Sequence, residues 1–365
     1  MFKRLNILLL LAAAVLSGCT TAPATVHSDF SRFVGLDDFS NFTRSQNERG
    51  ETVLVSPELN AGIPWNELIV SWNVMAPVGT YLEIEARAIA PGHLTKFYTL
   101  GYWASGNKTL ERSSVRNQKD ADGNVDTDTL VLMAPAAAAQ IRVTLVGANG
   151  VSPNLKYLGA SFANVKVTPA TRPANHAAWG KIIETPERSQ HGYPGGSGWC
   201  SPTSLSMVLA RWSDILHRPE MNLTVPEVAG NVYDTGFAGT GNWPFNTAFA
   251  GSFDDMRSYV TRMDDLSEVE DWITAGIPVI LSARWDWLQP GRPFDSDGHL
   301  IVCIGFTKTG DVVINDPATN LARGESVRHI YKRADVVRAW SKSHHAVYLV
   351  YPDDATIPPD HYGHW

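Results

Sequence analysis

The sequence predicts two domains, an antiparallel β-sandwich followed by an α+β domain. Three observations carry that reading. A chain of 365 residues is longer than one hydrophobic core usually organises. From about Phe30 to Val167, apolar and polar residues alternate in short runs separated by Pro, Gly and Asn, the pattern of half-buried strands. From about Ala178 onward, helical spacing comes first and apolar strand runs come afterwards. A hydrophobic content of 44% is that of a folded globular protein. A net charge of −7 with no basic run argues against a nucleic-acid partner.

Taken in order, the chain opens on a targeting segment at residues 1–19. Lys3 and Arg4 precede an apolar run, Ile7 to Leu16, that is too short to span a bilayer comfortably. Leu16-Ser17-Gly18-Cys19 then resembles a bacterial lipobox, which implies cleavage before Cys19 and lipidation of that residue. Thr20 follows where an inner-membrane retention signal would have Asp, so the resemblance implies an outer-membrane anchor facing the periplasm. An ordinary secretory signal with an incidental cysteine is the alternative. Residues 20–29 are small and polar, a tether.

Residues 30–168 form the expected sandwich. Leu82, Ile84, Ala86 and Ala88 alternate with Glu83, Glu85 and Arg87, and Leu68, Val70, Trp72 and Val74 repeat the rule, as do Ile141, Val143 and Leu145. Further strand runs lie at 53–55, 97–103, 130–133 and 158–167. The loop Asp120 to Asp128 places oxygen side chains at every second position and could wrap Ca²⁺, but its sixth position is Val125 rather than the glycine such a loop needs. A solvated hairpin tip is the preferred reading. Trp65, Tyr102 and Trp103 could bind sugar if exposed, although aromatics of a sandwich are mostly core.

Two prolines between Thr168 and Pro173 mark a linker over 169–177. The second domain spans 178–352 and a tail spans 353–365. Helices are expected after Cys200, over 225–232 and over 266–276, the last with Ser267 and Glu270 as a capping box and Gly276 as its stop. Strands are expected at 277–283, 299–306, 311–315 and 347–351.

Gly198-Trp199-Cys200-Ser201-Pro202-Thr203-Ser204 organises this domain. Glycines upstream let the backbone bend. Leu205, Val208, Leu209 and Trp212 downstream form one helical face, and Pro202 suits a first turn. Cys200 therefore stands at a helix N-terminus, where partial positive charge favours thiolate. A buried structural cysteine is the competing reading. Of the two other cysteines, Cys303 lies in an apolar strand run and reads as core, although a Cys200–Cys303 bridge stays open.

Cysteine catalysis also needs a histidine and a group to orient it. His299 begins one strand of an expected hairpin, and Asp316 closes the other as Asn315-Asp316-Pro317. Outer hairpin ends meet, so His299 and Asp316 can be neighbours. Alternation lets only one of Asn315 and Asp316 face His299, and the charge of Asp316 selects it.

These residues together resemble the papain-like cysteine peptidases of the bacteriocin-processing, double-glycine leader peptidase type, family thirty-nine, and their exported stand-alone relatives. Trp199 to Ser204, Asp297-Gly298-His299-Leu300-Ile301-Val302 and Val313-Ile314-Asn315-Asp316-Pro317 carry the resemblance, with Gly241-Asn242-Trp243-Pro244-Phe245-Asn246-Thr247-Ala248 as a mark of the exported relatives. It implies a papain-like fold with Cys200 as nucleophile, His299 as general base and acid, Asp316 as orienter, and no metal or cofactor. The family's oxyanion-donating glutamine points to Gln190, ten residues before the cysteine. Trp199 and Trp243 are candidate cleft residues.

The function expected is a lipid-anchored peptidase acting on a peptide, protein or cell-wall stem peptide. Acyl transfer of the transglutaminase-like type shares the first half-reaction. A non-catalytic surface-binding lipoprotein is the third reading. Cell-wall amidases of the NlpC type usually place a second histidine where this chain has Asp316.

Overall fold

The computed structural model describes residues 28–105, 111–288 and 298–365. The signal segment, Cys19, most of the tether and Asp297 lie outside the described residues.

The first domain contains β1 (Ser31–Leu36), β2 (Thr43–Gln46), β3 (Thr52–Val55), β4 (Leu59–Met75), β5 (Tyr81–Ala90), β6 (His93–Leu94), β7 (Tyr98–Trp103), β8 (Gly123–Asp126), β9 (Thr129–Val146) and β10 (Asn154–Ala163). All pair antiparallel in one continuous sheet that folds over on itself. The fold is made by β4 and β9, whose pairing shifts register around Trp65. Beyond the shift, β9 carries β5 and β3 on its two edges, while the second half of β4 carries β10 and then β1. The runs at 130–133 and 141–145 are thus one strand. Pro135 and the alanines around it read as a break, but Ala136 lies opposite Trp65, where a small residue admits a large one. The alternating residues Leu68, Val70, Trp72 and Val74 face the core enclosed by the folded sheet.

Trp65 and Trp103 are buried, and Tyr102 is half-buried with its hydroxyl donating to Glu83 (3.0 Å), so these three form no sugar platform. The acidic loop is a hairpin region whose carboxylates diverge. Asp120 pairs with Lys96 and accepts from Tyr98, Asp122 pairs with His93, and Asp128 turns toward the second domain.

The second domain contains α1 (Cys200–Leu216), α2 (Val225–Val232), α3 (Trp243–Ala250), β11 (Met256–Arg262), α4 (Leu266–Thr274), β12 (Val279–Ala283), α5 (Trp285–Leu288), β13 (His299–Phe306), β14 (Val312–Asn315), β15 (Arg328–Tyr331), α6 (Arg333–Trp340) and β16 (Ala346–Pro352). Its sheet is antiparallel in the order β11-β16-β12-β13-β14-β15. The sequence pattern did not reveal β11, because nearly every residue in it is buried and no alternation survives. The capping box expected at Ser267 and Glu270 is not formed. Asp265 caps α4 by accepting from the Ser267 amide (2.9 Å), and an aspartate one position before the helix is as strong a cap as serine. Glu270 is buried instead, bonded to Trp179 (2.8 Å) and paired with Arg333 (2.5 Å).

The two domains share core. Phe245 of α3 enters the sandwich and meets Trp72 and Trp103 edge-on, with ring centroids 5.9 and 5.4 Å apart. Gly101 makes room, since a Cβ there would come within 2.9 Å of the Phe245 ring. On the outer face of β4, Ser71 accepts from the Val260 amide (2.9 Å) and Asn73 brackets Ser258. Neither the linker nor the tail hangs free. Arg172 pairs with Asp264 (2.5 Å), and the tail runs back so that Gly363 accepts from the Phe33 amide (2.7 Å) and His364 is buried against Glu268 (2.6 Å). Ser28, at the end of the expected tether, is buried on Asp264 (2.7 Å).

Because Phe245 fills the core of the neighbouring domain, Phe245→Ala is expected to cost about 3–5 kcal/mol of stability. Denaturant unfolding followed by tryptophan fluorescence measures it. A loss confined to a fraction of a kcal/mol would show that the two cores are energetically separate.

Candidate active site

The site is built where α1 abuts the start of β13. Gly195 takes a left-handed conformation (φ 81°), a short turn over Gly196–Gly198 follows, and Trp199 is the residue before the helix. Gly196 is obligatory, since a Cβ there would lie 2.0 Å from the Gln190 carbonyl oxygen. Cys200 is the first helical residue, at the positive end of the helix dipole. Two buried hydrogen bonds fix this end. Ser201 meets the Tyr348 hydroxyl (2.9 Å), and Ser204 donates to the Leu300 carbonyl (2.9 Å) next to His299.

His299 opens β13 and Asp316 follows β14, and the two side chains meet through His299 Nε2 and Asp316 Oδ1 at 2.7 Å. His299 also acts on Cys200, through hydrogen bonding and charge. Asn315 faces the other way, as strand alternation requires, and donates to the Thr185 carbonyl (3.2 Å). Asp316 has a further partner that sequence reading missed. Tyr331 of β15 is buried and donates its hydroxyl to Asp316 Oδ2 (2.7 Å), while the Ala318 amide donates to Oδ1 (2.9 Å). No local pattern marks Tyr331, because it reaches Asp316 only through the pairing of β14 with β15.

The electrostatics follow from this geometry. Burial pushes the Cys200 thiol up, but the hydrogen bond and charge of His299 and the Leu300 and Ser201 amides outweigh it, so its pKa falls below the ordinary value. Burial would lower His299, yet the adjacent Asp316 charge and hydrogen bond, with Cys200, raise it overall. Burial opposes ionisation of Asp316, but His299 and Tyr331 bring it down to about 2. Both shifts favour the charged forms of the two groups, and a thiolate is the reactive form of a cysteine.

Gln190 lines the same cavity as Cys200 and His299. The ten-residue separation is taken up by two single turns, Gln190–Gly192 and Gly196–Gly198. Its side-chain amide donates to the Ser197 carbonyl (2.7 Å), and its backbone amide donates to the Pro317 carbonyl (2.9 Å), one residue past Asp316. Trp243 lines the cavity and Trp199 does not; the Trp199 ring packs toward Tyr193, with centroids 6.3 Å apart. Cys200 and Cys303 are both free thiols, and Cys303 is core, its pKa pushed up to about 12 by burial. The cavity holds about 930 Å³, and its lining includes Glu67, Asp126 and Asp128 of the first domain.

Two family models match the chain. Residues 26–163 match the Peptidase C39 N-terminal domain, and residues 182–348 match the Peptidase C39-like family. No curated protein matches. Among solved structures, a candidate C39-like peptidase from Bacillus anthracis is similar at 16% identity, over 47% of this chain and 98% of that one, with a TM-score of 0.34. Structures of infectious bursal disease virus are similar at lower scores. The Gt strain gives 13% identity, 42% of this chain, 38% of that one and a TM-score of 0.22, and the Gx strain gives 12%, 37%, 33% and 0.20.

Alkylation of Cys200 by iodoacetamide against pH is expected to report an apparent pKa below the ~8.5 of a free cysteine. In His299→Ala that value moves back up, and an unchanged profile would remove His299 from the pair. Tyr331→Phe deletes a hydrogen bond to a buried carboxylate, of a kind worth about 1.5–3 kcal/mol. It is expected to shift the profile the same way by less than His299→Ala does, and a shift as large as in His299→Ala would rank Tyr331 above the role argued for it.

Proposed function

We propose that the chain is a cysteine peptidase of the C39-like family that cleaves amide bonds of a peptide or protein substrate through Cys200, His299 and Asp316 while held to the cell envelope by lipid on Cys19. The observation that carries the catalytic part is the relay of contacts at the cavity, with Cys200 on His299 and His299 Nε2 on Asp316 at 2.7 Å. Cys200 Sγ attacks the scissile carbonyl carbon and forms a tetrahedral intermediate. His299 Nδ1 gives its proton to the leaving amine as the C–N bond breaks, leaving an acyl-thioester on Cys200. His299 then takes a proton from water, the water oxygen attacks the thioester, and release of the acid restores the thiolate and imidazolium. Asp316 keeps the ring in register through both steps and stabilises its charged form.

Developing negative charge on the carbonyl oxygen needs donors. The Cys200 backbone amide at the start of α1 is one, and the Gln190 side-chain amide is the other. Removing one such donor typically costs about 3 kcal/mol of transition-state stabilisation.

The lipid anchor rests on the order of charge, apolar run and lipobox at the start of the chain. On this proposal the enzyme works at the outer membrane facing the periplasm, where peptides, proteins and cell-wall stem peptides are within reach.

Cys200→Ala is expected to abolish cleavage of a peptide mixture while changing unfolding free energy by less than about 1 kcal/mol; a large loss of stability would mark Cys200 as a packing residue instead. Asp316→Asn should keep part of the activity, because asparagine can still orient a neutral imidazole, and complete loss would assign the decisive part to charge. For the anchor, Cys19→Ser should end incorporation of labelled palmitate and release activity from the membrane fraction. Persistent labelling in that variant would rule out lipid on Cys19.

A further inference from the structure

One wall of the catalytic cavity does not belong to the peptidase domain. The turn joining β8 to β9 has Thr127 and Asp128 at its tip, between the paired residues Asp126 and Thr129, and all four line the cavity that holds Cys200 and His299. Thr127 sits at φ 56°, a backbone conformation that a β-branched residue rarely takes and that persists only where the surroundings enforce it. The enforcing contact is Asp128. Its buried carboxylate accepts from the Trp243 amide (2.7 Å) in the first turn of α3 and from the Thr129 hydroxyl (3.0 Å). The tip is thereby fastened to the helix whose Trp243 also lines the cavity and whose Phe245 is embedded in the sandwich. On the same wall, Glu67 is held by Arg262 (2.5 Å).

Asp126 differs from these neighbours. It is exposed, and no side chain among the described residues pairs with its carboxylate. Most cations of the lining are already engaged, Arg262 by Glu67, Arg284 by Asp286 (2.8 Å) and Lys342 over the Trp287 ring (4.4 Å). Arg323 is exposed, but it stands on the segment after Asp316 rather than on this wall. A fixed tip thus presents a lone carboxylate to the space a substrate must occupy.

We propose that the N-terminal domain is the specificity wall of this peptidase, with Asp126 receiving a lysine or arginine side chain of the bound peptide and Asp128 acting as the positioning residue that holds the tip against α3. The proposal rests on the peptidase reading of the cavity. At Asp126 a cationic side chain of the substrate is attracted and an anionic one repelled, so the two differ by the sum of both effects.

The test uses the full chain and a synthetic peptide mixture in which each position varies between Lys, Arg, Gln and Glu, with products read by mass spectrometry. The wild type is expected to favour Lys or Arg over Glu at one position by about tenfold, and Asp126→Lys is expected to reverse that preference. Asp128→Ala should raise KM several-fold while iodoacetamide labelling of Cys200 stays as in the wild type, and Asp128→Asn, which keeps the acceptor, should restore KM. Cleavage with the same charge profile in wild type and Asp126→Lys would overturn the wall alone. Absence of cleavage of every peptide by the wild type would overturn the peptidase reading and the wall with it.

Discussion

The fixed contact between the N-terminus of α1 and the first residues of β13 is the constraint on which the site depends. Ser204 ties the helix to the Leu300 carbonyl, and Ser201 ties it to Tyr348 of β16. These bonds are buried and neutral, so they hold geometry without competing for the charge at the surface of the site. With the helix end fixed, Cys200 and His299 are set at hydrogen-bonding range by backbone placement rather than by side-chain search. An ordering cost is thereby met at folding and not at each turnover.

Charge at the site is arranged around burial. His299 and Asp316 are 4% and 1% exposed, and an isolated ion in either place would be costly. Asp316 answers its own burial with the Tyr331 hydroxyl, the Ala318 amide and His299, and His299 answers with Asp316 and Cys200. Tyr331 touches Asp316 alone of these groups, so any influence it has on Cys200 must pass through Asp316 and His299. Cys303 is more deeply buried than Cys200, and burial drives its thiol the other way. The same residue type thus takes opposite roles within one domain.

The shared core gives the two domains one cleft. Phe245 joins the sandwich core, while Phe33, Ile69 and Tyr157 of the first domain join the core of the second. The ordered tail closes the arrangement, with His364 and Gly363 clasping β11 and β1. Residues of both domains therefore line one cavity.

Much of this was legible in the sequence. The glycine-rich turn before an apolar helical face placed Cys200 at a helix start, and a short hairpin placed His299 near Asp316, since both inferences use spacings of fewer than twenty residues. Strand alternation located the sandwich, and it failed where burial on both sides erased the alternation, as in β11. The capping residue of α4 was misplaced by two positions because Asp265 is the cap and Ser267, inside the first turn, donates both its amide and its hydroxyl to it. What only the tertiary structure decided lies at long range. Asp128 meets Trp243 across 115 residues, Tyr331 meets Asp316 through a strand pairing, and Phe245 finds its socket in another domain. Such contacts leave no periodic imprint on either segment, because each side chain satisfies its local pattern equally well whether or not its distant partner is there.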